Sequence, residues 1–150
     1  MDVWNYAPSY YPGSAYVDWL GMSVYGPQFT DEPWAGFWPL VDWPYREMAA
    51  LDPQKPIMIT EWATGEFSSA GDKTNWIREA FDVMRTKLPR VKAEVYWHER
   101  WQNSDQSYSN LHINSSPRSP RRLPPGGGGC SVMEGRPVPP ARAAFSLGWA

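Results

Sequence analysis

Apolar positions along the chain fall into short runs separated by proline, glycine and polar clusters, and the runs carry two different periods. Val3-Trp4-Asn5-Tyr6 reads as the end of a strand, followed by turn residues over 7–14 (APSYYPGS). Residues 16–25 (YVDWLGMSVY) predict the next strand, with Val17, Trp19, Leu20, Met22 and Val24 as its bulk. Gly21 inside it marks a bend or a close backbone approach. Residues 26–43 form a long connection rich in Pro, Gly and Trp, and connections of that length in a compact domain are usually functional. A short helix is predicted over 44–51, with Pro44 at its first position and Pro53 just past its end. The run Ile57-Met58-Ile59 has the length and residue types of a fully buried strand. After a Gly/Ser loop, Asp72 is placed to cap an amphipathic helix reaching about Leu88. Its apolar residues Trp76, Ile77, Ala80, Phe81, Met84 and Leu88 recur at helical spacing, the pattern of a core-facing stripe. Pro89 ends it, and residues 91–97 (VKAEVYW) alternate as a strand. Strands alternating with helices in this order predict a parallel α/β arrangement.

Beyond Ser116 the periodicity stops. Residues 117–150 are dominated by Pro, Gly and Arg, lack lysine, and contain Glu134 as their one acidic residue. The expected organisation is therefore a folded domain over 1–116 and a disordered tail over 117–150. The arginines are scattered among prolines rather than clustered, which disfavours a polyanion-binding arm.

Composition narrows the partners. A net charge of -2 gives no general reason to expect nucleic acid or an anionic membrane. No apolar run approaches the roughly 18 residues of a membrane span. The N-terminus lacks the basic start and long apolar stretch of a signal peptide. A single cysteine, Cys130, rules out an internal disulfide. The unusual figure is ten Trp with eight Tyr and five Phe, which suits a large core and equally a cleft that stacks sugar rings.

The candidate chemistry gathers at Lys55-Pro56-Ile57-Met58-Ile59-Thr60-Glu61-Trp62-Ala63. Glu61 stands where the strand surfaces at its carboxyl end, the end that carries the chemistry in barrels of parallel strands. A strand-capping glutamate paired with a nearby Arg or Lys is the alternative. Tyr25, ending the preceding strand, is placed to donate to Glu61, or else is a rim tyrosine. Tyr96, Trp97, His98 and Trp101 crowd the top of the last strand. His98-Glu99 has no second histidine four residues on, so a zinc-hydrolase motif fails. With His98, His112 and one cysteine, no metal site is expected. No G-x-S-x-G elbow, phosphate loop or dinucleotide fingerprint occurs, so no cofactor is expected either.

Tyr11-Pro12-Gly13, Tyr16-Val17-Asp18-Trp19-Leu20-Gly21, Lys55 through Glu61, Gly71-Asp72-Lys73 with Trp76-Ile77, and Val91-Lys92-Ala93 follow one another in an order that resembles the C-terminal half of glycoside hydrolase family 26. The resemblance is to the β-mannanase type, covers roughly residues 3–117, and implies about strands five to eight of a retaining (β/α)8 barrel, incomplete in this chain. By that resemblance Glu61 is the nucleophile, Tyr25 the tyrosine that hydrogen-bonds it, and Trp97 the platform beneath the sugar. Trp101, Trp62 and Trp34 are further candidates for substrate contact, with Trp38 beside them. The family's acid/base glutamate, at the end of strand four, has no matching position here. Glu66 and Glu99 are the local alternatives. Ser23 stands where many mannanases carry an acidic residue, which leaves the β-linked polysaccharide open. The implied partners are that polysaccharide and the missing N-terminal half-barrel, and the family implies an extracellular or periplasmic setting. The expectation is a mannanase-like fragment inactive alone. A non-catalytic carbohydrate-binding fragment, using Trp34, Trp38, Trp97 and Trp101, is the rival. A third expectation is that unpaired strand edges leave the fragment without a stable function.

Overall fold

The computed structural model describes residues 6–67, 71–115 and 144–147. Its centre is a parallel sheet in the order β3-β2-β1-β6. The strands are β1 (Trp19–Tyr25), β2 (Ile57–Ala63), β3 (Val91–Tyr96) and, from the tail, β6 (Ala144–Leu147), while β4 (Arg100–Gln102) and β5 (Tyr108–Asn110) form a separate antiparallel hairpin. Helix α1 (Phe37–Leu51) joins β1 to β2, and α2 (Lys73–Lys87) joins β2 to β3.

Both crossovers run in the same direction along the sheet, so right-handed connections put both helices on one face. Trp62 on β2 records this directly. Its ring meets Phe37 of α1 edge-on at 5.9 Å and stacks on Trp76 of α2 at 6.0 Å. Phe81 and Tyr96 close the same cluster at 5.3 and 4.9 Å. Leu20, Met22 and Val24 from β1 and Ile57 and Ile59 from β2 join Trp62 in this core.

Helix α2 forms where its spacing and cap predict. Asp72 takes an extended backbone and its side chain accepts from the Asn75 N–H at 3.1 Å. Helix α1 departs from expectation, because it begins at Phe37 rather than Pro44. No local side chain caps it; instead the Glu79 carboxylate of α2 accepts from the Phe37 and Trp38 N–H groups at 3.2 and 3.1 Å. A Cβ on Gly36 would lie 2.9 Å from that carboxylate, so glycine at this position lets the cap approach. Pro39, third in the helix, forfeits an N–H that would have no intrahelical acceptor. Pro44 does lie inside and costs the bond to Leu40.

Two further expectations change. The strand containing Glu61 runs on to Ala63, so Glu61 lies within β2 near its end rather than just beyond it. Within the segment expected to be a disordered tail, Ala144–Leu147 pairs in parallel with β1, Trp19 opposite Ala144 through Met22 opposite Leu147. The expected strand end at Val3-Trp4-Asn5 and the remainder of the tail lie outside the described residues.

Candidate active site

The pairing of β1 with β2 matches Leu20 to Ile57, Gly21 to Met58 and Met22 to Ile59, then jumps to Ser23 opposite Glu61. Thr60 is therefore an extra residue, a bulge that resets which residues face which side. Before the bulge, Ile57 and Ile59 enter the helix-covered core; after it, Trp62 does so, not Glu61. Glu61 is thereby turned to the face that neither helix covers. Strand β3 has its own irregularity, with Val91 opposite Ile57 but Ala93 opposite Met58. Tyr96 consequently packs on Trp62, and Trp97 is the first residue past the end of β3. On β1, Val24 is in the core, so Tyr25 is on the same face as Glu61.

The carboxyl ends of two neighbouring strands thus bring Tyr25 and Glu61 together, and Trp97 follows the end of the third. The Tyr25 phenol donates to Glu61 Oε2 at 2.9 Å. Burial, and then the Glu61 carboxylate beside it, push the Tyr25 pKa well above the ordinary tyrosine value, so the phenol keeps its proton and remains a donor. Trp97 donates its N–H to the Trp62 carbonyl at 3.0 Å, which fixes its backbone one step beyond Glu61, and it is 36% exposed. A half-buried carboxylate held by a phenol can act as an oxygen nucleophile.

The expected aromatic surface is only partly assembled. Trp62 is fully buried and cannot touch a substrate, which corrects its place among the binding residues. The physical reason is the bulge at Thr60, which gives the core position to Trp62. Its indole N–H donates to Glu94, a carboxyl whose pKa burial pushes up. Trp34 is half-buried against the core and lies so close to Gly71 that a Cβ there would meet its ring at 2.0 Å. Trp38 has the Lys87 ammonium 4.2 Å from its ring centre. Trp101 sits in β4 opposite Ser109 and is half-buried.

The hairpin that carries Trp101 is docked by groups the sequence did not single out. Ser109 is fully buried and donates to the Gln28 carbonyl at 2.9 Å. Lys73, also fully buried, donates to the carbonyls of Asn110 and His112 at 3.2 and 2.6 Å and to Ser115 Oγ at 3.0 Å. Burial draws its pKa down to about 8, so at neutral pH it is still an ammonium with three protons to donate. Ser115 in turn donates to Glu66 at 3.0 Å, which engages one of the two alternative carboxylates. Glu99, the other, is exposed. His98 and His112 stack at 4.6 Å, and burial, then His112 and Lys73, lower the His98 pKa. One sequence signal could have pointed to Lys73: a cation at the start of a helix opposes the helix dipole, so something else must hold it there.

The chain is similar to two curated proteins. Endoglucanase H of Acetivibrio thermocellus is 33% identical over 114 residues, an alignment covering 73% of this chain and 11% of that relative. Mannan endo-1,4-beta-mannosidase A and B of Caldalkalibacillus mannanilyticus is 31% identical over 112 residues, covering 66% of this chain and 18% of that relative. The chain therefore spans less than a fifth of the length of either. No family model matches it. The two relatives support a glycoside hydrolase relationship and do not single out family 26.

Proposed function

We propose that the chain is the nucleophile-bearing part of a retaining β-glycosidase barrel of the family 26 type, acting on a mannan-like β-linked polysaccharide. The observation that carries this reading is the Tyr25–Glu61 hydrogen bond at the carboxyl ends of adjacent parallel strands. One Glu61 oxygen attacks the anomeric carbon, the glycosidic C–O bond breaks, and its electron pair leaves with the departing sugar oxygen. Tyr25 holds the carboxylate in line and keeps its proton throughout. Trp97 supplies the platform, with Trp101 on the hairpin beside it; Trp34 offers whatever surface its packing leaves. The leaving oxygen needs a proton from a second carboxylate about 5–5.5 Å from the first in retaining enzymes. In this reading that group comes from the complementary half of the barrel, which makes the fragment inactive on polysaccharide by itself.

The name of one relative says it acts on mannan, which supports the substrate class; the other is named an endoglucanase, so β-glucan is the competing substrate. A glycoside with a dinitrophenolate leaving group tests the reading, because that group departs without protonation. Dinitrophenyl fluorodeoxy-β-mannoside is expected to release one equivalent of dinitrophenolate per chain, with none from Glu61→Gln, while β-mannan itself is not turned over. A burst of equal size from the β-glucoside analogue alone would reassign the sugar. Turnover of β-mannan that is abolished by Glu61→Gln would contradict the claim that the fragment lacks its partner. Oligosaccharide binding that survives Glu61→Gln, is lost in Trp97→Ala and comes with no burst would favour a purely binding role.

A further inference from the structure

We infer that Thr60 is a positioning residue for Glu61: its hydroxyl fastens the bulge that turns the carboxylate onto the open face of the sheet. The inference deepens the proposed function, and its kinetic arm rests on that reading.

A strand of alternating side chains cannot send Glu61 to one face while Ile57 and Ile59 occupy the other, because all three have the same parity. One added residue resolves this, and the register identifies it as Thr60, which falls between the Met22–Ile59 and Ser23–Glu61 matches. An extra residue breaks the ladder locally, leaving backbone groups of the partner strand in need of a donor. The Thr60 hydroxyl supplies one, donating to the Met22 carbonyl at 3.2 Å. The Ser23 hydroxyl lies 3.3 Å from Thr60 Oγ1, so two hydroxyls and one carbonyl knit across the irregularity. Ser23 is itself nearly buried. Burial of Trp62 fixes which side of the bulge goes to the core, but it leaves the angle of the preceding carboxylate free. The hydroxyl of Thr60 acts on that angle, because it ties the residue before Glu61 to the strand that ends in Tyr25. β-branching suits the strand; the polar atom is what a plain strand residue would not need.

Valine keeps the shape of threonine and removes the hydroxyl, whereas serine keeps the hydroxyl. Thr60→Val, Thr60→Ser and the parent chain are compared by two measurements. The first is saturation kinetics of inactivation by dinitrophenyl fluorodeoxy-β-mannoside. Thr60→Val is expected to lower the limiting rate about tenfold, the weight of roughly one hydrogen bond, with the half-saturating concentration unchanged. Thr60→Ser is expected to restore the parent rate. The second is amide hydrogen exchange, which needs no substrate. Thr60→Val should speed exchange at Ser23, Glu61 and Trp62 while the amides of α2 keep their protection, and Thr60→Ser should not. Parent-like exchange at those amides in Thr60→Val overturns the inference, as does an equal limiting rate in all three chains. If the parent chain is never inactivated, the glycosidase reading falls, and exchange still decides whether Thr60 holds the bulge.

Discussion

At the scale of single residues, neighbouring tryptophans have opposite fates. Trp62 is encased by four aromatic rings, so Trp62→Ala removes a large core side chain and should cost about 3–5 kcal/mol, read as a lower midpoint in urea unfolding. Trp97 is 36% exposed, and Trp97→Ala should leave that midpoint nearly in place while, on the proposed function, abolishing oligosaccharide binding. A large drop in stability for Trp97→Ala would mean that its ring belongs to the core. Glu61 and Tyr25 were legible in the sequence because each ends a short apolar run, and two successive parallel strands make such ends neighbours. The face on which they emerge was not. It depends on a one-residue register shift at Thr60, which leaves no mark on composition or spacing, and for the same reason Trp62 could be mistaken for a surface aromatic.

At the scale of elements, what the sequence shows well is anything held by its own neighbours in the chain. Helix α2 carries its cap, its stripe and its stop within one segment, and it forms where expected. Helix α1 is held at its start by Glu79, over forty positions away, so its first seven residues read as loop. Glu79→Ala should therefore expose the Phe37 and Trp38 amides to hydrogen exchange and cost about 1 kcal/mol; unchanged protection there would show that the cap is dispensable. The β4–β5 hairpin is likewise fixed from a distance, by Lys73 and by the Gln28 carbonyl that accepts from Ser109. Lys73→Met should loosen residues 108–113 without unfolding the sheet, measurable in the same exchange experiment. Asp52, just past α1, ties down the segment before β1 by accepting from Tyr11 Oη at 2.6 Å and from Ser14 Oγ, and also accepts from the Gln54 N–H at 2.9 Å. The Ser14 hydroxyl first, then Tyr11 and Gln54, hold its pKa at about 2, below the ordinary aspartate value. A depressed carboxylate stabilises the fold above its unfolded pKa and loses that contribution as pH falls through the folded one. The stability of the parent chain should thus decline between about pH 4 and 2, and Asp52→Asn should flatten that arm of the curve. An unchanged acid arm in Asp52→Asn would remove Asp52 from the account.

At the scale of the whole molecule, a parallel sheet with both helices on one side is an unusual surface, since such sheets are ordinarily covered on both faces. Val95 on β3 alternates onto the side that, among the described residues, neither helix covers, and it is 43% exposed. The chain is expected to self-associate in size-exclusion chromatography, and Val95→Lys to shift it toward the monomer; a compact, well-protected monomer of the parent chain would show that this face needs no partner. The α/β class and the alternation of strands and helices were legible in the sequence, whereas β6 was not. Its four residues interrupt a segment whose composition has no strand period, and pairing with the edge of β1 is what defines them as a strand. The central proposal is chemical: a Glu61 oxygen is the nucleophile that bonds to the sugar. The most direct test is to locate the adduct by peptide mass mapping after inactivation with dinitrophenyl fluorodeoxy-β-mannoside. The account predicts one fluorodeoxy-sugar on Glu61, at a rate reduced in Tyr25→Phe, and an adduct on Glu66, on Glu99 or on no residue at all would contradict it.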